Sequence, residues 1–176
     1  MKTLGIIYWP KKGSVELNAK RIHTEWGEES AELISLRDIE PDGLLNFSYL
    51  IFGCSTVGAE SWRDAYTGNP WNTFFVKMNR AHIDLQGRKA ALYGLGDQIL
   101  YPEHYVDEMA RIGSELKSHG AVIVGQWPAV GYEHTGSKAL KDGSFLGLAL
   151  DEHNQAELSM ERIHAWIRDL KKNHFF

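Results

Sequence analysis

Short apolar runs alternate with amphipathic stretches along the whole chain. Residues 3–8 (TLGIIY) read as a buried strand, and residues 14–26 as a helix with Ser14 as its predicted N-cap. Residues 31–36 predict a weaker strand, and residues 48–53 (SYLIFG) a run of the kind buried on both faces. A long glycine-containing stretch then leads to a helix over 71–79, and residues 89–94 (KAALYG) predict a fourth strand. The next helix is predicted from Pro102 to about His119, with proline in its first turn and Gly120 just past its end. Val106, Met109, Ala110, Gly113 and Leu116 form its core-facing stripe at helical spacing. Residues 121–125 (AVIVG) predict a fifth strand, and residues 144–151 resume one after an irregular stretch. The last helix, 155–172, turns Ile163, Trp166, Ile167 and Leu170 inward.

Strand and helix in repeated alternation predict βαβ units and a parallel sheet covered on both faces. Nothing in the chain reads as a linker or a repeat, so one doubly wound α/β domain over residues 1–176 is expected. In such sheets ligands sit beyond the carboxyl ends of the strands, where the strand order switches. The loops after Tyr8, Gly53, Gly94 and Gly125 are therefore the places to look for chemistry.

Composition narrows the class. At 176 residues, 43% hydrophobic and 24% charged, the chain can bury a core, and neither disorder nor a fibrous protein fits. Cys54 is the only cysteine, which excludes an internal disulfide and points to a reducing cytoplasm. The opening apolar run is too short for a targeting or membrane segment. A net charge of -4 argues against nucleic acid as partner. That charge is unevenly spread: residues 1–23 carry Lys2, Lys11, Lys12, Lys20 and Arg21 against Glu16 alone, leaving -8 on the remainder.

The first loop, with Lys11, Lys12, Gly13 and Ser14, precedes a helix whose free N–H groups and dipole suit an anion. A plain strand-to-helix turn with solvated lysines is the competing reading. The second, 54–71, is long for a βα connection, and its aromatics argue against disorder. Cys54 reads as a packing thiol. The third loop, Gly94, Leu95, Gly96, Asp97, Gln98 and on to Tyr101, offers two glycines for close approach, two hydrogen-bonding side chains and an aromatic face. Eight histidines are scattered without metal-ligand spacing, and no carboxylates pair as an acid and base. A planar ring edged by amides, with a phosphate some distance away, would suit loops one and three together.

These residues resemble the long-chain flavodoxins. Gly96-Asp97-Gln98 followed by Tyr101 is similar to that family's third FMN loop, and residues 127–132, 137–140, 145–151 and 157–158 are similar to its long-chain insertion and the segment after it. The resemblance implies a flavodoxin-like sandwich around a five-stranded parallel sheet in 2-1-3-4-5 order, the insertion lying in the last strand. It implies noncovalent FMN and a low-potential one-electron carrier that serves a flavin reductase and electron-accepting redox proteins transiently, without membrane or nucleic acid. Tyr101 would stack on the flavin and disfavour its fully reduced anion. Asp97 and Gln98 would hold the pyrimidine edge; Ser55, Thr56, Val57 and Gly58 would line the inner face. Gly13, Ser14, Lys11 and Lys12 would take the phosphate.

Two loops depart from the family pattern. Where members carry hydroxyls around a glycine, this chain has Pro10, Lys11, Lys12, Gly13, Ser14, Val15 and Glu16. All three usual hydroxyls are gone, and Pro10 removes a backbone donor. Lys12 is expected to replace hydrogen bonds by direct charge. Val57 stands where the family often has a flavin-covering Trp; Trp62 or Tyr66 could cover the ring, contact a partner or pack the loop onto the body. Gly58 suits the carbonyl rotation that the family uses toward N5 of the half-reduced ring, making the Gly58-Ala59 peptide the expected redox-linked hinge. Two rival readings remain: an FMN-dependent reductase of a quinone or tetrapyrrole, and a binding module that has lost FMN.

Overall fold

The computed structural model describes residues 3–56 and 68–175. Its elements run β1 (Leu4–Trp9), α1 (Gly13–Trp26), β2 (Ala31–Ser35), β3 (Tyr49–Ser55), α2 (Pro70–Arg80), β4 (Lys89–Leu95), α3 (Glu108–Ser118) and β5 (Val122–Val124). Three two-residue strands follow, β6 (Trp127–Pro128), β7 (Leu140–Lys141) and β8 (Ser144–Phe145), then β9 (Leu148–Leu150) and α4 (Ser159–Asp169). The main sheet has the order β2-β1-β3-β4-β5, with every pairing parallel, and β9 also pairs with β4. This is the expected 2-1-3-4-5 order.

β5 and β9 share one edge position. Ala91 of β4 faces Val124, and two residues later Tyr93 faces Leu148. The chain leaves the sheet between them and builds a small antiparallel sheet, β6-β8-β7, before returning.

β1, β3 and β4 are almost wholly buried, as runs covered on both faces must be. One face carries Ile7, Phe52, Leu92, Trp71, Phe75 and Met109, under α2 and α3. The other carries Ile6, Ile51, Tyr93, Ile22 and Trp166, under α1 and α4. Ile163, Trp166, Ile167 and Leu170 are all buried as the periodicity predicts.

Two helix starts differ from expectation. α1 begins at Gly13, not after Ser14: Lys12 is the N-cap and no side chain caps it. Lys12 and Gly13 both have positive φ, at 66° and 70°, a turn that glycine adopts freely and that moves the cap two residues back, from Ser14 to Lys12. α3 begins at Glu108, six residues after Pro102. Pro102 lies in irregular chain, and its carbonyl accepts the N–H groups of Thr135 and Gly136. Long-range bonds to the insertion thus replace the helix's first turns, and Val106 is buried outside the helix at φ 50°.

No helix among the described residues is long and apolar enough to cross a membrane.

Candidate functional site

Register brings the strand ends that lead into the three loops to one place. Trp9 is paired with Cys54, and Cys54 with Gly94, so β1, β3 and β4 end side by side. The chain moves from β1 outward to β2, then crosses back to β3, so the switch in strand order falls between β1 and β3.

At the first loop, the Lys12 N–H donates to Glu16 Oε2 at 2.7 Å, while Tyr8 Oη donates to Glu16 Oε1 at 3.3 Å. The Lys12 N–H, then the Lys20 ammonium, hold the Glu16 carboxyl below its usual range. Burial and the Glu16 charge push the Tyr8 phenol up to about 12. Glu16 therefore satisfies the cap residue and leaves the N–H groups of Gly13, Ser14 and Val15, which by position lack intrahelical acceptors. Gly13 is exposed, with no atom within 4 Å of the place a Cβ would occupy. The two lysines differ. Lys11 Nζ binds Asp38 Oδ2 at 2.6 Å, whereas the exposed Lys12 ammonium has no partner among the described residues.

The first turn of α1 is also held from below. The fully buried Tyr93 donates from its hydroxyl to the Val15 carbonyl at 2.9 Å. Its ring fills the space over Gly53, where an added Cβ would lie 2.0 Å from Tyr93 Cζ. Cys54 is buried, its thiol directed to the Tyr93 carbonyl at 3.8 Å, and burial pushes it well above the usual thiol range.

Of the second loop, Ser55 and Thr56 lie at the end of β3, and Thr56 Oγ1 donates to the Leu95 carbonyl at 3.2 Å. Val57, Gly58, Trp62 and Tyr66, together with the Gly58-Ala59 hinge, lie outside the described residues.

The third loop uses its polar side chains inward. Asp97 Oδ1 accepts the N–H groups of Ile99 and Leu100 and the amide of Asn154. Burial would raise this carboxyl, but those donors outweigh it and hold it low. Gln98 is 1% exposed: its N–H and its side-chain Nε2 both donate to Asp151 Oδ2 at 3.0 Å, and its Oε1 accepts the Glu133 N–H. The Gln98 side chain is thus committed inward, which leaves a ligand the loop's main chain and Asp97 Oδ2, an atom that takes none of these bonds. The glycines are needed for packing. A Cβ on Gly94 would meet Met109 at 2.9 Å, and one on Gly96 would meet Thr56 Oγ1 at 2.7 Å. Ile99, Leu100 and the Tyr101 ring stand exposed at the loop's crest.

Asp151 and Asn154 carry much of this arrangement, and the sequence reading does not assign them to the site. Asp151 is fully buried and takes five hydrogen bonds, from the N–H groups of Gln98, His153 and Asn154 and the amides of Gln98 and Asn154. Its signal in the sequence is Asp-x-x-Asn directly after a strand, a pattern in which Asx side chains bind the backbone just ahead.

The described residues hold no group of His, Cys, Asp or Glu that could bind a metal. What they offer is an exposed helix start beside a free cation, an exposed aromatic face, and main chain at three adjacent strand ends. That defines a doubly wound α/β protein with a site for a phosphate-bearing planar ligand at its switch point. Comparison with known proteins makes the class specific. The family model described as Flavodoxin matches residues 6–166, and the chain belongs to the flavodoxin family. It is 35% identical to a flavodoxin of Picosynechococcus sp. over 172 residues, covering 97% of each chain. A flavodoxin of Haemophilus influenzae is 32% identical over 174 residues, covering 97% of this chain and 94% of the relative. The crystal structure of Fusobacterium nucleatum flavodoxin bound to flavin mononucleotide superposes with a TM-score of 0.83 at 28% identity, covering 98% of both chains.

Proposed function

We propose that this protein is an FMN-binding, low-potential one-electron carrier, acting as a single domain in the cytoplasm. The observation that carries the reading is the juxtaposition, in a flavodoxin-family chain, of the free first turn of α1 with the exposed Tyr101 ring across three in-register strand ends. The residues fit FMN. The Gly13, Ser14 and Val15 N–H groups and the Lys12 ammonium would hold the phosphate, with the helix dipole adding to the attraction. Lys11, held by Asp38, contributes charge at longer range. Ser55 and Thr56, continuing into Val57 and Gly58, would flank one side of the ring, and Tyr101 the other. The main chain from Gly94 and Leu95 through Gly96, Asp97 and Gln98 would face its edge, braced by Asp151.

Bound FMN supplies reversible uptake and release of single electrons; the chain supplies binding, orientation and field. The negative charge outside residues 1–23 favours transient encounter with basic surfaces on a flavin reductase and on electron-accepting redox proteins. The test is reconstitution. Purified apoprotein should quench added FMN fluorescence stoichiometrically, and the loaded protein should pass electrons singly from a flavin reductase to a haem or iron–sulfur acceptor. Apoprotein that takes up no FMN, or a loaded protein that turns over an organic substrate with NAD(P)H alone, would overturn the reading.

A further inference from the structure

Glu108 is the first residue of α3 and only 8% exposed. A carboxylate so placed is costly unless it is paired and hydrogen-bonded. Burial pushes its carboxyl up despite the Arg111 guanidinium, whose Nε donates to Oε1 at 2.9 Å and whose Nη2 reaches the same oxygen. Arg111 in turn lies over the Phe75 ring of α2, 5.8 Å from its centroid. A first-turn acid gains from the helix dipole without being buried, so burying it against two other elements calls for a use.

Its partners supply one. The Glu108 N–H donates to the Thr56 carbonyl at 3.1 Å, and its carboxylate accepts a hydrogen bond from the Asn69 side chain. Thr56 is the residue after β3; Asn69 is the N-cap of α2, 2% exposed, with its Oδ1 taking the Trp71 N–H at 3.0 Å. These two residues are the two ends of the long β3–α2 connection. We propose that Glu108 is a positioning residue for that connection, its main chain fixing one end at Thr56 and its carboxylate fixing the other at Asn69. Thr56 also reaches the Leu95 carbonyl, so the same residue sets the second loop against the third. The link from this clamp to cofactor affinity rests on the FMN reading above; the clamp itself does not.

The donor and acceptor of the Asn69–Glu108 pair can be exchanged, which gives the test. Asn69→Asp keeps the cap to Trp71 but sets two carboxylates against each other. Glu108→Gln keeps one acceptor oxygen, which Arg111 can take, and turns the other into a donor. The double variant restores a donor facing an acceptor with their places reversed. Arg63 is the only tryptic site between Thr56 and Asn69. In FMN-free protein, cleavage after Arg63 should rise about tenfold in Asn69→Asp and in Glu108→Ala, the effect of losing one hydrogen bond to a charged group. It should return to near the wild-type rate in the double variant, with Glu108→Gln in between. FMN dissociation constants should follow the same order. Unchanged cleavage in folded Asn69→Asp, or a double variant no better than Asn69→Asp alone, would overturn the proposal. If Glu108→Ala does not fold, Asn69→Asp and the double variant still decide it. Apoprotein that binds no FMN at all would refute the cofactor reading while the cleavage rates still judge the clamp.

Discussion

Replacing Asp151 by Asn keeps the shape of the side chain and reverses the sense of half its hydrogen bonds. Oδ1 accepts the N–H groups of His153 and Asn154, and Oδ2 accepts the Gln98 N–H and the amides of Gln98 and Asn154, all between 2.9 and 3.0 Å. Whichever oxygen becomes NH2, it faces donors: two in the better orientation, three in the worse. The cheaper orientation strands the His153 and Asn154 N–H groups, each costing about 1–3 kcal/mol, so about 2–6 kcal/mol is expected in total. For a chain of this size that lowers Tm by roughly 4–24 °C. Urea unfolding followed by far-UV circular dichroism measures the loss directly. The pH dependence adds a second check. Burial alone would raise the Asp151 carboxyl, but its donors hold it below the usual range. A depressed carboxyl contributes stability above the unfolded value of 3.8 and loses it as pH falls through the folded value. The gap between wild type and Asp151→Asn should therefore be full at neutral pH and narrow only below about pH 4. A loss under about 1 kcal/mol, or a gap unchanged down to pH 2, would refute the account.

Gly53→Ala should destabilise by several kcal/mol, because the new Cβ would sit 2.0 Å from a Tyr93 ring that has no room to move; urea midpoints measure it. His134→Phe should stabilise by about 1 kcal/mol, since both ring nitrogens of His134 are buried against Tyr105 and Phe145 without a hydrogen-bond partner among the described residues. Burial holds that imidazole below its usual 6.5, so the wild type should lose stability relative to His134→Phe as pH falls below about 6.5; denaturation at pH 8 and pH 5 makes the comparison. Lys12→Ala should weaken FMN binding about three- to tenfold and flatten its salt dependence, while Lys11→Ala, already paired with Asp38, should do less; fluorescence titrations at two ionic strengths separate them.

The sheet was legible because its signal is local. β1, β3 and β4 are apolar runs buried on both faces, which marks a parallel sheet, while the strand order came from the resemblance to the family. The last helix was legible for the same reason, its four inward residues lying at helical spacing. What the sequence hid was commitment over distance. Gln98 looks like a ligand-facing group because nothing near it competes for its hydrogen bonds. Its partner Asp151 comes 53 residues later, while Asn154, 57 residues beyond Asp97, joins the neighbouring Ile99 and Leu100 N–H groups on that carboxylate. Pro102 looks like a helix start for the same reason, since its claimants Thr135 and Gly136 belong to the insertion. Glu108 falls inside the helix that the sequence predicts and draws no attention until the structure sets it against Thr56 and Asn69.

The insertion and the late start of α3 are two sides of one arrangement. Between Gly96 and Glu108 the chain has no regular structure of its own. The insertion supplies its scaffolding instead: Glu133 to Gln98, Thr135 and Gly136 to Pro102, Gly136 to Tyr105, and Lys138 to Asp107. Because β5 and β9 occupy consecutive stations on the same edge of β4, the excursion begins and ends where one strand could have run straight through. Splicing that strand closed would cost the sheet little, yet it would strip the splint from the loop that bears Tyr101. The freed stretch would then be expected to wind into additional turns of α3, withdrawing the tyrosine from the crest. On this view the insertion acts as a brace rather than an ornament, and a chain without it must hold its aromatic by other means.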